Sequence, residues 1–333
     1  MKIMKPVLSL LRLGLMMAVL SLAWNISAQT TSFKQPQTLT ELLALPPAEL
    51  EHCDIARMNL LCAESLPGAE NLKVEECLAT LDQWAQHIKS ETDRNEHRFK
   101  EDPAYYSNSE AFYKMLMMAV VLYEDYGVRY NPKLITSPDA TVADDHFFAD
   151  SSNILIQGLV GTQHLGTCSS MPVLYIALGR RLGYPLKLVK AKGHLFMRWE
   201  GQTEKFDMDA TGKGLDKYDD EFYKKWPFPL SEADIKEEDY LKSLSAKEEL
   251  SVFLSIRGAC QTDNDQLGDA LASFSLAYKL VPTWKGNQVM FAQARQRLAR
   301  PVIQVQQPQP MNPNIPADPN PLQQAPRNLF QTP

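Results

Sequence analysis

The chain has 333 residues, of which 44% are hydrophobic and 22% are charged. A chain of this length and apolar content can bury a sizeable core, as one large domain or as two smaller ones. Its 34 basic and 40 acidic residues give a formal charge of −6. Because affinity for a phosphate backbone comes largely from clustered Lys and Arg, and no such cluster stands out, we exclude general nucleic-acid binding.

The first 28 residues have the composition of a leader for export. Three basic residues precede an apolar stretch from Leu13 to about Trp24, and the small residues Ser27 and Ala28 follow it. The stretch is shorter than the roughly 20 residues that a membrane-spanning helix needs, which favours cleavage near Ala28 over an uncleaved anchor. Cleavage removes three basic and no acidic residues, so the formal charge falls from −6 to −9. We expect a periplasmic or secreted protein that meets the membrane only during export.

Five cysteines stand at positions 53, 62, 77, 168 and 260. In an oxidising compartment an odd number leaves at least one thiol unpaired. Cys53, Cys62, Cys77 and Cys260 could form two disulfides and leave Cys168 as a thiol, although the sequence does not determine the connectivity. The alternative is that several of these cysteines are small buried apolar residues of a helical region.

The N-terminal third of the chain has a helical pattern. Residues 29–39 are polar and predict a linker. Between residues 40 and 126 apolar residues recur every three or four positions, as Leu78 and Leu81 do, which predicts a helical region. The stretch from Ser109 to about Asp125 is so apolar that we expect a helix buried on most sides.

The rest of the chain changes character twice. Residues 127–245 combine turns with helical and strand patterns, so that the whole chain fits the α+β class. In residues 246–299, Gly258 and Phe274 are among the residues that follow the spacing of a tetratricopeptide unit. Because a lone unit cannot bury both of its faces, we expect a helical hairpin packed on the main domain. Residues 300–333, rich in Pro and Gln, predict a disordered tail.

The segment Gly166-Thr167-Cys168 precedes a predicted helix. Apolar residues recur at helical spacing from Met171 to Leu182, Pro172 is compatible only with the first turn, and Gly183 supplies a helix exit. Either Thr167 or Cys168 can cap this helix. The Cys168 sulfur then lies at a helix N-terminus, where unpaired amides and the helix dipole favour the thiolate, as a nucleophile requires.

A base for such a nucleophile is expected downstream. The stretch Gly193–Trp199 predicts a strand whose alternation places His194, Phe196 and Arg198 on one face. The stretch Lys205–Asp209 predicts the strand that pairs with it.

The turn between these two strands decides which carboxylate faces the histidine. If Gly201-Gln202 is a two-residue type II′ turn, His194 pairs with Asp209, and Asp207 pairs with Phe196 on the same face. A shift of two residues in the register would favour Asp207 instead. We expect Asp209 to be the partner of His194.

Together these residues resemble the core of transglutaminase-like proteins, a branch of the papain superfamily of cysteine enzymes. The resemblance rests on Gly166-Thr167-Cys168, on the segment from Ala177 to Pro185, on Gly193-His194 and on Asp209-Ala210-Thr211. It is closest to the bacterial SirB1-like proteins, which join a helical N-terminal region to this core and often carry tetratricopeptide helices behind it. It covers about residues 50–299.

The resemblance implies a papain-like transglutaminase core over residues 127–245 and acyl transfer or hydrolysis at an amide bond. The substrate would be a peptide, a protein or a cell-envelope component, and no cofactor is implied. Cys168 would be the nucleophile, His194 the base and Asp209 the residue that orients the base. The amide of Cys168 would bind the oxyanion, with Gln163 or His164 as a second donor, unless these two are ordinary surface loop residues.

Other interpretations of single segments are weaker. Asp144-Asp145-His146 offers metal ligands, but no established metal-binding motif accompanies it, and we expect no metal. The charged run from Glu232 to Asp239 indicates a solvated helix face. The alternative to an enzyme is an interaction module that has lost turnover and holds a protein partner through its groove and its C-terminal helices.

Overall fold

The computed structural model of the chain describes residues 33–135, 147–211 and 217–299. The predicted leader, the predicted tail from residue 300 and the Asp144-Asp145-His146 segment lie outside the described residues. The described residues as far as Leu298 belong to one compact unit.

Helices occupy most of the described chain. The α-helices are, in chain order, α1 (Leu39–Ala44), α2 (Ile55–Leu61), α3 (Val74–Arg94), α4 (Glu96–Glu101), α5 (Glu110–Val120), α6 (Ser151–Ile154), α7 (Gln157–Val160), α8 (Met171–Arg181), α9 (Asp220–Tyr223), α10 (Glu232–Glu238), α11 (Ala246–Asp263), α12 (Leu267–Leu280) and α13 (Lys285–Ala299). Short 3-10 turns lie at Glu49–His52, Ala104–Tyr106 and Pro132–Leu134, and a π-helical turn at Val121–Asp125 extends α5.

The strands form two sheets. The short strands β1 (Arg129–Tyr130) and β2 (Leu165–Gly166) pair in parallel. An antiparallel sheet has the order β3 (Leu186–Ala191), β4 (His194–Glu200), β5 (Lys205–Met208) and β6 (Lys217–Tyr218). The fold is therefore a mixture of helices and small sheets that fits the α+β class.

The antiparallel sheet is buried on both sides. Leu195 and Met197 of β4 belong to the main apolar core, to which α8 also contributes. Phe196 belongs to a smaller apolar cluster on the other side, together with Tyr223 and Leu241. The alternation predicted for this strand is confirmed, and it places the side chain of His194 on the side of the smaller cluster.

Helix α8 is the central helix of the main core. Residues Met171–Gly179 are all buried, and the helix packs on α2, α3, β3 and β4. At its end Gly183 has a φ of +74°, and the amide of Tyr184 binds the carbonyl of Gly179 at 2.8 Å. This is the glycine exit that the sequence predicted. Because both the sides and the end of α8 are held, the residues before its first turn are held in place as well.

The C-terminal helices pack on the N-terminal ones. Gly258 of α11 allows close approach of the Phe274 ring of α12, since a Cβ at position 258 would lie 2.7 Å from that ring. Arg257 donates hydrogen bonds to the carbonyls of Cys62 and Glu64 at 2.9 and 2.6 Å. A helical hairpin packed on the main domain is thus observed, while its likeness to a tetratricopeptide unit stays a prediction.

Helix α10, expected to have a solvated charged face, has one carboxylate that is largely covered by other residues. Glu238 Oε2 lies 3.0 Å from the Nζ of Lys190 on β3. The ammonium group of Lys190 also lies 3.4 Å from the ring centroid of Trp284. Burial lowers the pKa of Lys190 to about 8, although Glu238 opposes that decrease. Charge spacing along the sequence does not reveal this contact because Lys190 is 48 residues away from Glu238.

The hairpin between β4 and β5 differs from the predicted one. Glu200 pairs with Lys205, which leaves the four residues Gly201–Glu204 in the loop. A type II′ turn needs a positive φ at its first central residue, and Gly201 does not have one. The two-residue turn lies between β3 and β4 instead, at Lys192-Gly193, where Gly193 has a φ of +69°. The register of β4 and β5 is consequently shifted by two residues from the prediction.

Candidate active site

Cys168 lies in the turn that joins β2 to α8. The carbonyl of Thr167 accepts a hydrogen bond from the amide of Met171 at 2.9 Å. The hydroxyl of Thr167 accepts one from the amide of Ser169 at 3.3 Å. The prediction that Thr167 or Cys168 caps the helix is wrong, because the residue directly before the helix is Ser170. The reason is that Pro172 has no N–H to donate to the carbonyl of Cys168, so regular helix begins only at Met171. Cys168 is nevertheless in the helix-like turn at the start of α8, and it is partly exposed.

His194 is the first residue of β4 and follows the tight turn from β3. Gly193 has the left-handed conformation that a residue with a Cβ rarely adopts. A Cβ at this position would also lie 2.9 Å from the ring of Phe228. Glycine is therefore required on two grounds, and the tight turn places the imidazole of His194 at the end of the strand.

Asp209 directly follows β5 and accepts several hydrogen bonds. Its Oδ2 accepts from His194 Nε2 at 2.6 Å and from the hydroxyl of Tyr223 at 3.3 Å. Its Oδ1 accepts from the amide of Thr211 at 2.8 Å and also from the Thr211 hydroxyl. Both carboxylate oxygens are thus used, which holds the group in one orientation toward the imidazole.

The imidazole of His194 lies between the carboxylate and the thiol. Because Nε2 is bound to Asp209, Nδ1 is the ring nitrogen that remains for Cys168. Cys168 is close enough to His194 to contribute to the raised pKa of the imidazole. Thiol, imidazole and carboxylate therefore stand in series, which is the order that nucleophilic catalysis by cysteine requires.

The surroundings favour a protonated His194 and an ionised Asp209. Burial is the largest influence on the pKa of His194 and lowers it, but hydrogen bonds and charges of Asp209 and Cys168 outweigh burial and raise the pKa from 6.5 to about 9. Burial alone would raise the pKa of Asp209. Hydrogen bonds from His194 and Thr211, with the charge of His194, hold it below the usual 3.8. The pair therefore exists as an ion pair at neutral pH.

Asp207 lies opposite Arg198, and not opposite Phe196 as the predicted register required. Its Oδ1 and Oδ2 accept hydrogen bonds from Arg198 at 2.6 and 2.9 Å. The same guanidinium also binds Asp220 at 2.5 Å and the carbonyl of Leu241 at 2.8 Å. The shift in register moves Asp207 away from His194, and its carboxylate balances a buried arginine.

Aromatic side chains cover the pair formed by His194 and Asp209. The Tyr223 ring stacks on Phe196, with 3.7 Å between the ring centroids. Trp226 meets the His194 ring edge-on, with 4.7 Å between centroids, and 36% of its surface is exposed. Because these rings keep water from the hydrogen bond between imidazole and carboxylate, the bond is stronger than it would be in solvent.

The two residues predicted as second oxyanion donors have other surroundings. Gln163 is exposed. His164 has a φ of +56°, packs on Trp84 with 5.7 Å between ring centroids, and has no hydrogen-bond partner for its buried Nδ1. Tyr130 of β1, which the sequence patterns did not indicate, lies opposite Gly166, and burial followed by the charges of Cys168 and Asp209 raises the pKa of its hydroxyl. Two-residue strands leave no periodicity in a sequence, so their pairing was not predictable.

The five cysteines are all free thiols, so none of the disulfides considered above is present. Burial raises the pKa of Cys53 to about 11 and those of Cys62 and Cys260 to about 12. Burial also raises the pKa of Cys77. These four thiols remain protonated near neutral pH and are poor nucleophiles there.

Two further properties concern the described part of the chain. None of its helices is long and apolar enough to cross a membrane. Over residues 33–135, 147–211 and 217–299, no three His, Cys, Asp or Glu side chains are grouped so that they could hold a metal ion.

No protein-family model, no curated protein and no solved structure matches this chain. Its function therefore has to be inferred from the geometry of the site.

Proposed function

We propose that this chain is an exported cysteine enzyme of the transglutaminase-like type that breaks or exchanges an amide bond in a peptide, a protein or a cell-envelope component. One observation carries the proposal: His194 Nε2 lies 2.6 Å from the buried carboxylate of Asp209, and the other ring nitrogen is left for Cys168. A papain-like core is part of the proposal. It is supported by a cysteine before a central helix and a histidine at the start of an antiparallel strand.

The chemistry follows from the positions of these groups. The Cys168 thiolate attacks the carbonyl carbon, and the backbone N–H of Cys168 donates to the oxygen that becomes negative. His194 gives a proton from Nδ1 to the departing amine, which leaves a thioester on Cys168. Asp209 holds the ring in the required orientation and stabilises its charged form. Water or an amine then attacks the thioester, and His194 takes up the proton of that nucleophile.

The first test is the reactivity of the five thiols toward iodoacetamide at pH 7 in the native protein. We expect Cys168 to be alkylated first, because burial raises the pKa of each of the other four. Mass spectrometry of the digested protein identifies the modified cysteine. If Cys168 reacts no faster than a cysteine in an unfolded peptide, the enzyme proposal fails, and a binding module without turnover takes its place.

Two isosteric variants test the role of the carboxylate. Asp209→Asn should slow the alkylation of Cys168 by about tenfold or more, since the charge that holds His194 protonated is lost. Asp207→Asn is the matched control because it alters a carboxylate on the same strand that binds Arg198 instead. Circular dichroism checks that both variants fold. A loss of reactivity with Asp207→Asn alone would show that Asp207, and not Asp209, orients His194.

Hydrolysis and transfer are distinguished by their products. With a glutamine peptide as donor, release of ammonia that depends on an added amine indicates transfer. A free carboxylate product that forms without the amine indicates hydrolysis. Export is proposed from the leader composition alone, and it predicts a mature N-terminus at Gln29. Recovery of the protein with an intact leader from the cell envelope would contradict cleavage and indicate an uncleaved anchor.

A further inference from the structure

Two large aromatic side chains stay exposed beside His194. Trp226 and Phe228 lie in the segment between α9 and α10, with 36% and 49% of their surfaces exposed. Trp226 meets the His194 ring edge-on, at 4.7 Å between ring centroids. The ring of Phe228 lies against the neighbouring residue, since a Cβ at Gly193 would come within 2.9 Å of it. Exposed aromatic surface that borders a candidate active site is typical of a binding surface.

The segment that carries the two rings is held in place by its own backbone. The amide of Trp226 binds the carbonyl of Phe222 at 3.1 Å, and the amide of Leu230 binds the carbonyl of Lys224 at 2.9 Å. The rings of Phe222 and Trp226 also lie against each other, with 5.4 Å between centroids. A surface that is already in place needs little ordering when a ligand binds to it.

The position of His194 decides which part of a substrate meets these rings. The imidazole gives a proton to the departing amine and takes one from the incoming nucleophile, so the nitrogen side of the amide bond lies beside it. Tyr223 also stacks on the imidazole, at 6.1 Å between centroids, but it is fully buried. Of these two rings, Trp226 is therefore the one that a substrate can touch.

We propose that Trp226 and Phe228 form a binding site for a large apolar side chain on the amine side of the amide bond. In hydrolysis this side chain belongs to the residue that follows the bond, and in transfer it belongs to the acceptor amine. An aromatic side chain leaves water when it packs against the two rings, whereas a small side chain gains little from them. The site rests on the proposed function, since it is defined by the amine that His194 protonates.

Acetyl transfer to two competing amines tests the site. In the first step p-nitrophenyl acetate acylates Cys168: the sulfur bonds to the acetyl carbon and p-nitrophenolate leaves. An amine then attacks the thioester carbon, the C–S bond breaks, and a proton of the amine passes to His194. Phenylalaninamide and alaninamide differ by one phenyl group and are mixed at equal concentrations of the free amine.

The measured quantity is the ratio of the two N-acetyl products, determined by mass spectrometry and corrected for the reaction without the thiol by the variant Cys168→Ala. Apolar contacts of a substrate side chain distinguish between substrates by about tenfold or more. We therefore expect wild type to form about ten times more N-acetylphenylalaninamide than N-acetylalaninamide. Both products come from the same acyl-enzyme, so their ratio does not depend on how fast Cys168 is acylated.

Variants assign the preference to the two rings. Trp226→Ala and Phe228→Ala should each lower the ratio by about threefold, because two contacts share the tenfold preference, and the double variant should bring the ratio close to one. Phe228→Leu keeps an apolar side chain and should keep most of the preference. Tyr278→Ala is the matched control, since Tyr278 is also 36% exposed but lies on α12, where it stacks on Phe291. Its ratio should equal that of wild type.

Each outcome has a defined meaning. A wild-type ratio close to one, or a ratio that the double variant leaves unchanged, would overturn the site at Trp226 and Phe228 and leave the proposed function standing. An acetylated Cys168 that is hydrolysed by water while neither amine is consumed would do the same. Failure of wild-type Cys168 to be acetylated at all would overturn the proposed function, and the site with it.

Discussion

Replacement of Asp209 by Asn removes the negative charge beside His194 but keeps the size of the side chain. The pKa of His194 is about 9 in the folded protein, compared with an ordinary value of 6.5. A group whose pKa is raised by folding stabilises the folded state fully below the unfolded value, and the stabilisation is lost as the pH rises through the folded value. In the wild type this loss should occur between pH 6.5 and about 9.

The magnitude follows from the two pKa values. Their difference of about 2.5, at 1.36 kcal/mol for each pKa unit, corresponds to about 3 kcal/mol of unfolding free energy. Little of this is lost to solvent screening, since His194 and Asp209 are only 7% and 8% exposed. The lowered pKa of Asp209 reports the same interaction and is not added. In Asp209→Asn burial still opposes the charged imidazole and only Cys168 still favours it, so its pKa should fall toward 6.5.

Urea unfolding of wild type and Asp209→Asn at pH 6, 8 and 10 measures the effect. We expect the variant to be about 3 kcal/mol less stable at pH 6 and nearly as stable as wild type at pH 10. Lys190 titrates in the same range with the opposite sign, because burial lowers its pKa to about 8. It lies on the other face of the sheet, against Glu238 and Trp284, so its contribution cancels in the difference between the two proteins.

A difference that stays constant from pH 6 to pH 10 would refute this reasoning, because Asp209 would then stabilise the fold independently of the charge on His194. Asp207→Asn is the control for loss of a buried carboxylate. Its partner Arg198 remains charged throughout this range, so its effect should not change between pH 6.5 and 9.

Three other predictions concern stability. Arg198→Met should lower the unfolding free energy in urea by about 3–5 kcal/mol because it leaves the carboxylate of Asp207 buried and unpaired, and the double variant with Asp207→Leu should recover much of the loss. Gly258→Ala adds about 1 kcal/mol of helix propensity but places a methyl 2.7 Å from the Phe274 ring, where overpacking costs about 1–3 kcal/mol. We therefore expect a lower unfolding free energy for Gly258→Ala, and a higher one when the same change is made in a Phe274→Leu background. Gly193→Ala should lower the unfolding free energy by about 2 kcal/mol, because Gly193 has a left-handed φ and the new methyl would lie 2.9 Å from the ring of Phe228. It should also slow the alkylation of Cys168, and an unchanged rate would show that the turn does not position His194.

Local features of the sequence predicted the elements around the site well. The alternation in residues 193–199 identified strand β4 and the face that carries His194. The glycine after α8 predicted the end of that helix. The same features did not predict the hairpin, because two glycines lie near strand ends and only the surrounding side chains decide which one adopts a positive φ. Gly193 adopts it beside Phe228, while Gly201 lies in a four-residue loop.

The pairing of His194 with Asp209 survived an error in the register. The predicted type II′ turn would have aligned the two residues directly, whereas the observed register aligns Asp207 with Arg198 and leaves Asp209 beyond the last pair of β5. Asp209 reaches His194 because the chain leaves the strand at this point, where bonds from Thr211 and Tyr223 hold the carboxylate. The competing carboxylate, that of Asp207, is bound by the buried Arg198 instead.

The sequence by itself determined which residue types carry chemistry and on which kind of element each of them lies, because periodicity, proline and glycine act over a few neighbouring residues. Only the tertiary structure decided which of these side chains meet. The pairing of β1 with β2 brings Tyr130 opposite Gly166, two residues before Cys168, and Glu238 reaches Lys190 from 48 residues away. Such contacts depend on how whole elements pack, and no local pattern along the chain encodes that packing.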